Sequence, residues 1–188
     1  MNSSTKQIFY MILILISASC ISQTTTSPTT VLNSVLNKQY IESRKSFKGK
    51  LNPQQFQEIR SLIIKELNAE IPADKSILIN YSQRAPNCLS LNINNISFSG
   101  FDRSIEISKR ISKKYNTIDF FVFSEDVVNK EIYEEQKDFI KDSGFFYDNV
   151  FTLHENCEAF FILKSNGDFM KYYGEDYYSK VEYFLRRN

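Results

Sequence analysis

The sequence predicts an α/β domain with a central mixed β-sheet of about four to five strands, flanked by helices and preceded by an extra N-terminal helix. Three observations carry this. Short β-branched or aromatic runs, Ile77–Tyr81, Ile118–Phe123 and Ala159–Lys164, are separated by stretches whose apolar residues recur at helical spacing. That alternation favours parallel strands joined by right-handed crossovers. A turn at Ser165-Asn166-Gly167-Asp168 then returns the chain through Phe169–Tyr173, adding an antiparallel hairpin at one edge.

The elements follow in order. Val31, Leu32, Val35, Leu36 and Tyr40 suggest a weak helix to about Ser46. Asn52-Pro53 with Gln55 is a helix start of the capping-box kind, and Phe56, Ile59, Ile63 and Leu67 make residues 53–69 amphipathic. Ser76–Tyr81 reads as a buried strand. Residues 82–101 look irregular, and Asp102 is placed to cap a helix bearing Ile107, Ile111 and Tyr115. Ile118–Phe123 is the strongest strand. A helix is expected over about 129–142, from Ile132, Tyr133, Phe139 and Ile140, stopped by Gly144. A short strand is expected within Tyr147–Leu153, and residues 176–186 close the chain as a helix.

Length and charge narrow the function. The 188 residues leave room for one domain plus extras. Lys and Arg number 23 against 22 Asp and Glu, so the net charge is +1. A nucleic-acid partner, which calls for a basic surplus on one face, is not expected. With 16 Phe, 11 Tyr and no Trp, aromatic rings must fill much of the core.

The N-terminus reads as an address. Lys6, the apolar run Ile8–Ile16 and the small residues Ser17, Ala18 and Ser19 have the layout of a secretory signal peptide over 1–19. The run is shorter than the roughly 20 residues a spanning helix needs. Ala18-Ser19-Cys20 resembles the lipobox of bacterial lipoproteins, although Ser17 stands where an aliphatic residue is usual. The resemblance implies lipid attachment at Cys20 and a membrane-anchored protein of the cell envelope, facing the periplasm. An ordinary signal peptidase site fits the same residues, and export follows either way. The Ser/Thr-rich stretch after Cys20 has little to bury and reads as a flexible tether.

From about Lys75 to Leu185 the chain resembles the thioredoxin-like superfamily, in particular its membrane-anchored envelope members. KSILINYSQRAPNC is similar to the family's first core strand entering its active-site loop, and IDFFVFSED to the next strand. CEAFFILKSNGDFMKYYGED is similar to the segment from the family's cis-proline through its terminal glycine. The resulting organisation is 1–19 signal peptide, 20–50 lipid-attachment cysteine with tether and weak helix, and 51–188 thioredoxin-like domain. The departures are specific. The Cys-x-x-Cys motif is missing: Cys88 falls at or just before the family's second cysteine, and the attacking cysteine's place falls near Ala85 or Pro86. Glu158 occupies the place of the cis-proline.

The resemblance also brings the loop bearing Cys88 beside Cys157. Three readings of that pair stay open: two buried thiols, a structural disulfide, or a reactive pair exchanging with partner thiols. His154, with Cys88 and Cys157, makes a weak copper-site candidate, against the plainer reading of a loop histidine. Asn80-Tyr81-Ser82 and Asn95-Ile96-Ser97 fit the glycosylation pattern, which carries little weight in a bacterial protein. No phosphate loop, nucleophile elbow or zinc-protease motif occurs, and no cofactor is expected. The function expected is binding or scaffolding of an envelope protein partner, with a thiol-disulfide oxidoreductase using Cys88 and Cys157, or a copper chaperone, as alternatives.

Overall fold

A computed structural model describes residues 31–89 and 98–187. The expected signal segment, Cys20, the Ser/Thr-rich stretch and the Asn95-Ile96-Ser97 pattern lie outside the described residues. Within them the elements are α1 (Lys38–Ser43), β1 (Lys45–Lys50), α2 (Pro53–Leu67), β2 (Ser76–Ser82), α3 (Phe98–Lys114), β3 (Thr117–Phe123), α4 (Lys130–Glu134), β4 (Phe139–Lys141), α5 (Phe145–Asn149), β5 (Glu158–Leu163), β6 (Asp168–Tyr173) and α6 (Tyr178–Arg186). No described helix is long and apolar enough to cross a membrane.

The strands form one mixed sheet in the order β1-β6-β5-β2-β3-β4. β2, β3 and β4 run parallel, β5 is antiparallel to β2 and β6, and β1 is antiparallel to β6. Alternation along the strands sorts the core onto two faces. Ile77, Ile79, Tyr81, Phe161 and Leu163 meet Ile63 and Leu67 of α2 and Phe146 of α5. Leu78, Phe160, Ile162 and Met170 meet Ile111 of α3 and Val181 and Leu185 of α6. All seven residues of β2 are buried, as expected of a central strand flanked by both layers. This α/β arrangement is compatible with a thioredoxin-like fold.

The sheet has six strands rather than four to five, and both additions are edges. β1 lies across the end of the expected weak helix, which shrinks to α1. KSFKGK is exposed along its whole length, so no hydrophobic alternation marks it. What fixes it is the partner: Lys45 to Lys50 register against Tyr173 to Asp168. Gly49 lies beneath the Phe169 ring, where a Cβ would come within 2.7 Å.

The helix expected over 129–142 is cut to α4, and β4 takes its second half. Phe139 is drawn onto the sheet by Phe121, its registered neighbour, with ring centroids 5.3 Å apart, and by the Tyr133 ring at 5.1 Å. The strand expected within Tyr147–Leu153 is replaced by α5. Gly144 supplies a backbone φ of 104°, and the Asp142 carboxylate accepts the N–H groups of Phe146 and Tyr147 at 3.1 and 2.8 Å. α3 begins at Phe98, four residues before the expected cap. Elsewhere the expected elements stand. Asn52 and Gln55 form the reciprocal capping box of α2, with Pro53 in its first turn. The hairpin turns on Gly167 at φ 86°.

Candidate functional site

The site lies where β2 runs out. Three short backbone segments lie side by side there, through parallel bridges of Asn33 to Asn87 and of Asn87 to Asn156. Asn33 N–H donates to Pro86 O (2.7 Å) and Cys88 N–H to Asn33 O (2.9 Å). Asn87 N–H donates to Glu155 O (3.1 Å), Cys157 N–H to Asn87 O (3.0 Å), and Gln83 N–H to Cys157 O (2.8 Å). The loop after β2 and the segment before β5 are thereby pinned together before any side chain is counted.

Cys88 and Cys157 close this arrangement with a disulfide, their Cα atoms 5.0 Å apart. Cys88 is fully buried and Cys157 nearly so, packed with Ala85 and covered by Leu32. The Ala85 carbonyl oxygen lies 3.3 Å from one sulfur and 3.6 Å from the other. The pair is disulfide-bonded, which removes the reading of two buried free thiols.

Amide side chains lace the surroundings. Asn33 Nδ2 donates to Asn87 Oδ1 (2.7 Å), Asn87 Nδ2 to Glu155 O (2.8 Å), and Asn156 Nδ2 to Ser43 Oγ (2.7 Å). Gln83 Nε2 donates to Asn156 O at 2.9 Å and to Leu153 O at 3.2 Å. Asn156 Oδ1 is buried without a hydrogen-bond partner among the described residues. Sequence reasoning passed over these residues. A signal existed: both cysteines of the pair are preceded by asparagine, Asn87-Cys88 and Asn156-Cys157, and the two dipeptides lie on adjacent segments.

His154 is engaged elsewhere. Its Nδ1 shares a 2.9 Å hydrogen bond with Gln83 Oε1, and its ring stacks on Tyr147 at 3.8 Å. Among the described residues no group of three or more His, Cys, Asp or Glu side chains is placed to hold a metal ion. Both sulfurs are bonded to each other, so neither is a thiolate ligand in this state.

Beside the disulfide, Glu158 opens β5 with a trans peptide before it. As a residue it is half-buried, yet its carboxyl is enclosed. Ser82 Oγ hydrogen-bonds both its oxygens, at 3.1 and 3.0 Å, and Tyr133 hydrogen-bonds to Ser82. Burial pushes the Glu158 carboxyl well above the usual carboxylate range, and the charge of Glu175 adds to this. Glu175 accepts the Leu89 N–H, and its own N–H donates to Tyr40 Oη at 2.8 Å. Burial raises the Tyr40 phenol to about 12.

A cleft of about 600 Å³ opens at the ends of β3 and β4, lined by Glu125, Asp126, Lys141, Asp142 and Tyr147 among others. Its charges are largely spent on one another. Glu125 takes Lys130 and Lys141, which hold its carboxyl down to about 2. Asp126 takes Ser124, and Asp142 takes Tyr81.

Comparison with protein-family models, with curated proteins and with solved structures finds no match for this chain. The functional reading therefore rests on the site itself.

Proposed function

We propose that this chain is an exported, lipid-anchored, thioredoxin-like protein of the cell envelope that acts by binding or scaffolding, without dithiol exchange. The thioredoxin-like part is supported by the strand order β6-β5-β2-β3, with α3 and α6 sharing one face. The observation that carries the functional part is the buried Cys88–Cys157 disulfide. An exchange catalyst presents an accessible, activated thiolate. Here both sulfurs are covered by Leu32 and Ala85, and the pair serves as a brace between two loops.

Insulin reduction with dithiothreitol as the electron donor tests this. Wild type and Cys88→Ser are expected to leave the uncatalysed rate unchanged. Wild-type turnover that disappears in Cys88→Ser would establish the oxidoreductase alternative instead. The anchor is tested in the same cells: wild type should partition into detergent and Cys20→Ser into the aqueous phase. Equal partitioning would remove the lipid.

A further inference from the structure

β1 is an open sheet edge with an unusual composition. Its inner edge is fully used by β6. Leu51 N–H donates to Gly167 O at 3.0 Å, and Lys164 N–H to Asp168 O at 2.8 Å, which fixes the parity of the ladder. Lys45, Phe47 and Gly49 bond inward to Tyr173, Lys171 and Phe169. The N–H and C=O groups of Ser46, Lys48 and Lys50 therefore point outward. All six residues of the strand are exposed, and no bond to these outward groups occurs among the described residues.

Such an edge is a template for a further strand. Its side chains select which one. The strand carries Lys45, Lys48 and Lys50 and no carboxylate. Lys50 reaches Asp168 at 3.3 Å, and Lys45 donates to the Glu42 carbonyl, whereas Lys48 has no ion pair among the described residues. A second copy is a poor occupant. Antiparallel pairing about Lys48, the middle outward-bonding residue, would set Lys48 against Lys48, a destabilising like-charge contact. On the other face Phe47 is exposed beside Lys171, whose Nζ lies 5.5 Å from its ring centroid, and offers an apolar anchor.

We propose that β1 is a docking edge on which an extended acidic segment of a partner protein adds as a seventh strand. Carboxylates of that segment face Lys48 and Lys50, and its apolar residues on the opposite face meet Phe47. The inference deepens the binding role proposed above and rests on it for its purpose.

The test uses a capped, alternating Glu-Val heptapeptide titrated into the isotope-labelled protein and followed by amide NMR. Saturable shifts confined to Lys45–Lys50 and their β6 neighbours are expected, with slowed exchange at the Ser46, Lys48 and Lys50 amides. Ser46→Pro deletes one outward N–H while keeping every lysine and the inner ladder, since proline is tolerated at an edge. It should weaken binding at least tenfold with the spectrum outside β1 unchanged. Lys48→Glu should weaken it similarly, and a Lys-Val peptide should not bind. Absence of shifts in β1, native affinity in Ser46→Pro, or equal binding of the Lys-Val peptide each overturns the proposal. If the peptide binds but insulin turnover depends on Cys88, the edge survives and the binding-only role falls. If the peptide fails while insulin reduction is absent, the reverse holds.

Discussion

A carboxyl group enclosed beside Ser82, with the charge of Glu175 near it, holds its proton to higher pH than an ordinary glutamate. Folding therefore raises the Glu158 value above the 4.5 of an ordinary glutamate. The sign follows from proton linkage: the stabilisation is complete below about pH 4.5 and is lost as pH rises through the folded-state value. Glu158→Gln keeps the shape and removes the charge. Urea melts of the two proteins should coincide near pH 4.5 and separate as pH rises. The variant should be the more stable of the two at neutral pH, since it carries no charge to desolvate. Parallel stability curves at every pH would mean that the carboxyl is solvated. Nothing in the sequence around Glu158 signals this burial, because Ser82, Tyr133 and Glu175 come from distant positions.

Among the elements, α5 shows most plainly how one side chain sets a local structure. Asp142 is buried, receives two backbone N–H groups of the helix, and accepts the Tyr81 hydroxyl at 2.9 Å. Asp142→Ala removes the acceptor and strands the hydroxyl in the core. Thermal or urea denaturation should show a loss of about 2–3 kcal/mol, from a lost cap and an unsatisfied buried group. An unchanged midpoint would contradict this. The same contrast explains which elements were legible. β2, β3 and β5 are largely buried runs rich in Ile, Leu and Phe, and β6 follows from the hairpin turn before it, so their pattern is local. The start of α2 is written in Asn52, Pro53 and Gln55. β1 has exposed residues throughout and exists only because β6 lies beside it. β4 has three residues, and Phe139 and Ile140 fall in helical phase with Ile132 and Tyr133, so periodicity favours the wrong element until Phe121 is in place.

At the scale of the whole molecule, the fold brings residues 69 positions apart into one brace. The loop after β2 and the segment before β5 meet because those strands are neighbours, and the disulfide joins what Asn33, Asn87 and Asn156 already align. The meeting of Cys88 and Cys157 was legible only through the resemblance that ordered the strands. The amide lacing around them was not, because it is tertiary. The proposed binding role requires this brace to be structural. Equilibrating the protein against glutathione and dithiothreitol buffers, with alkylation and mass spectrometry of Cys88 and Cys157, gives its reduction potential. A value below about −300 mV, as for buried structural disulfides of exported proteins, is predicted. A value between about −120 and −230 mV, the range of exchange catalysts, would contradict it.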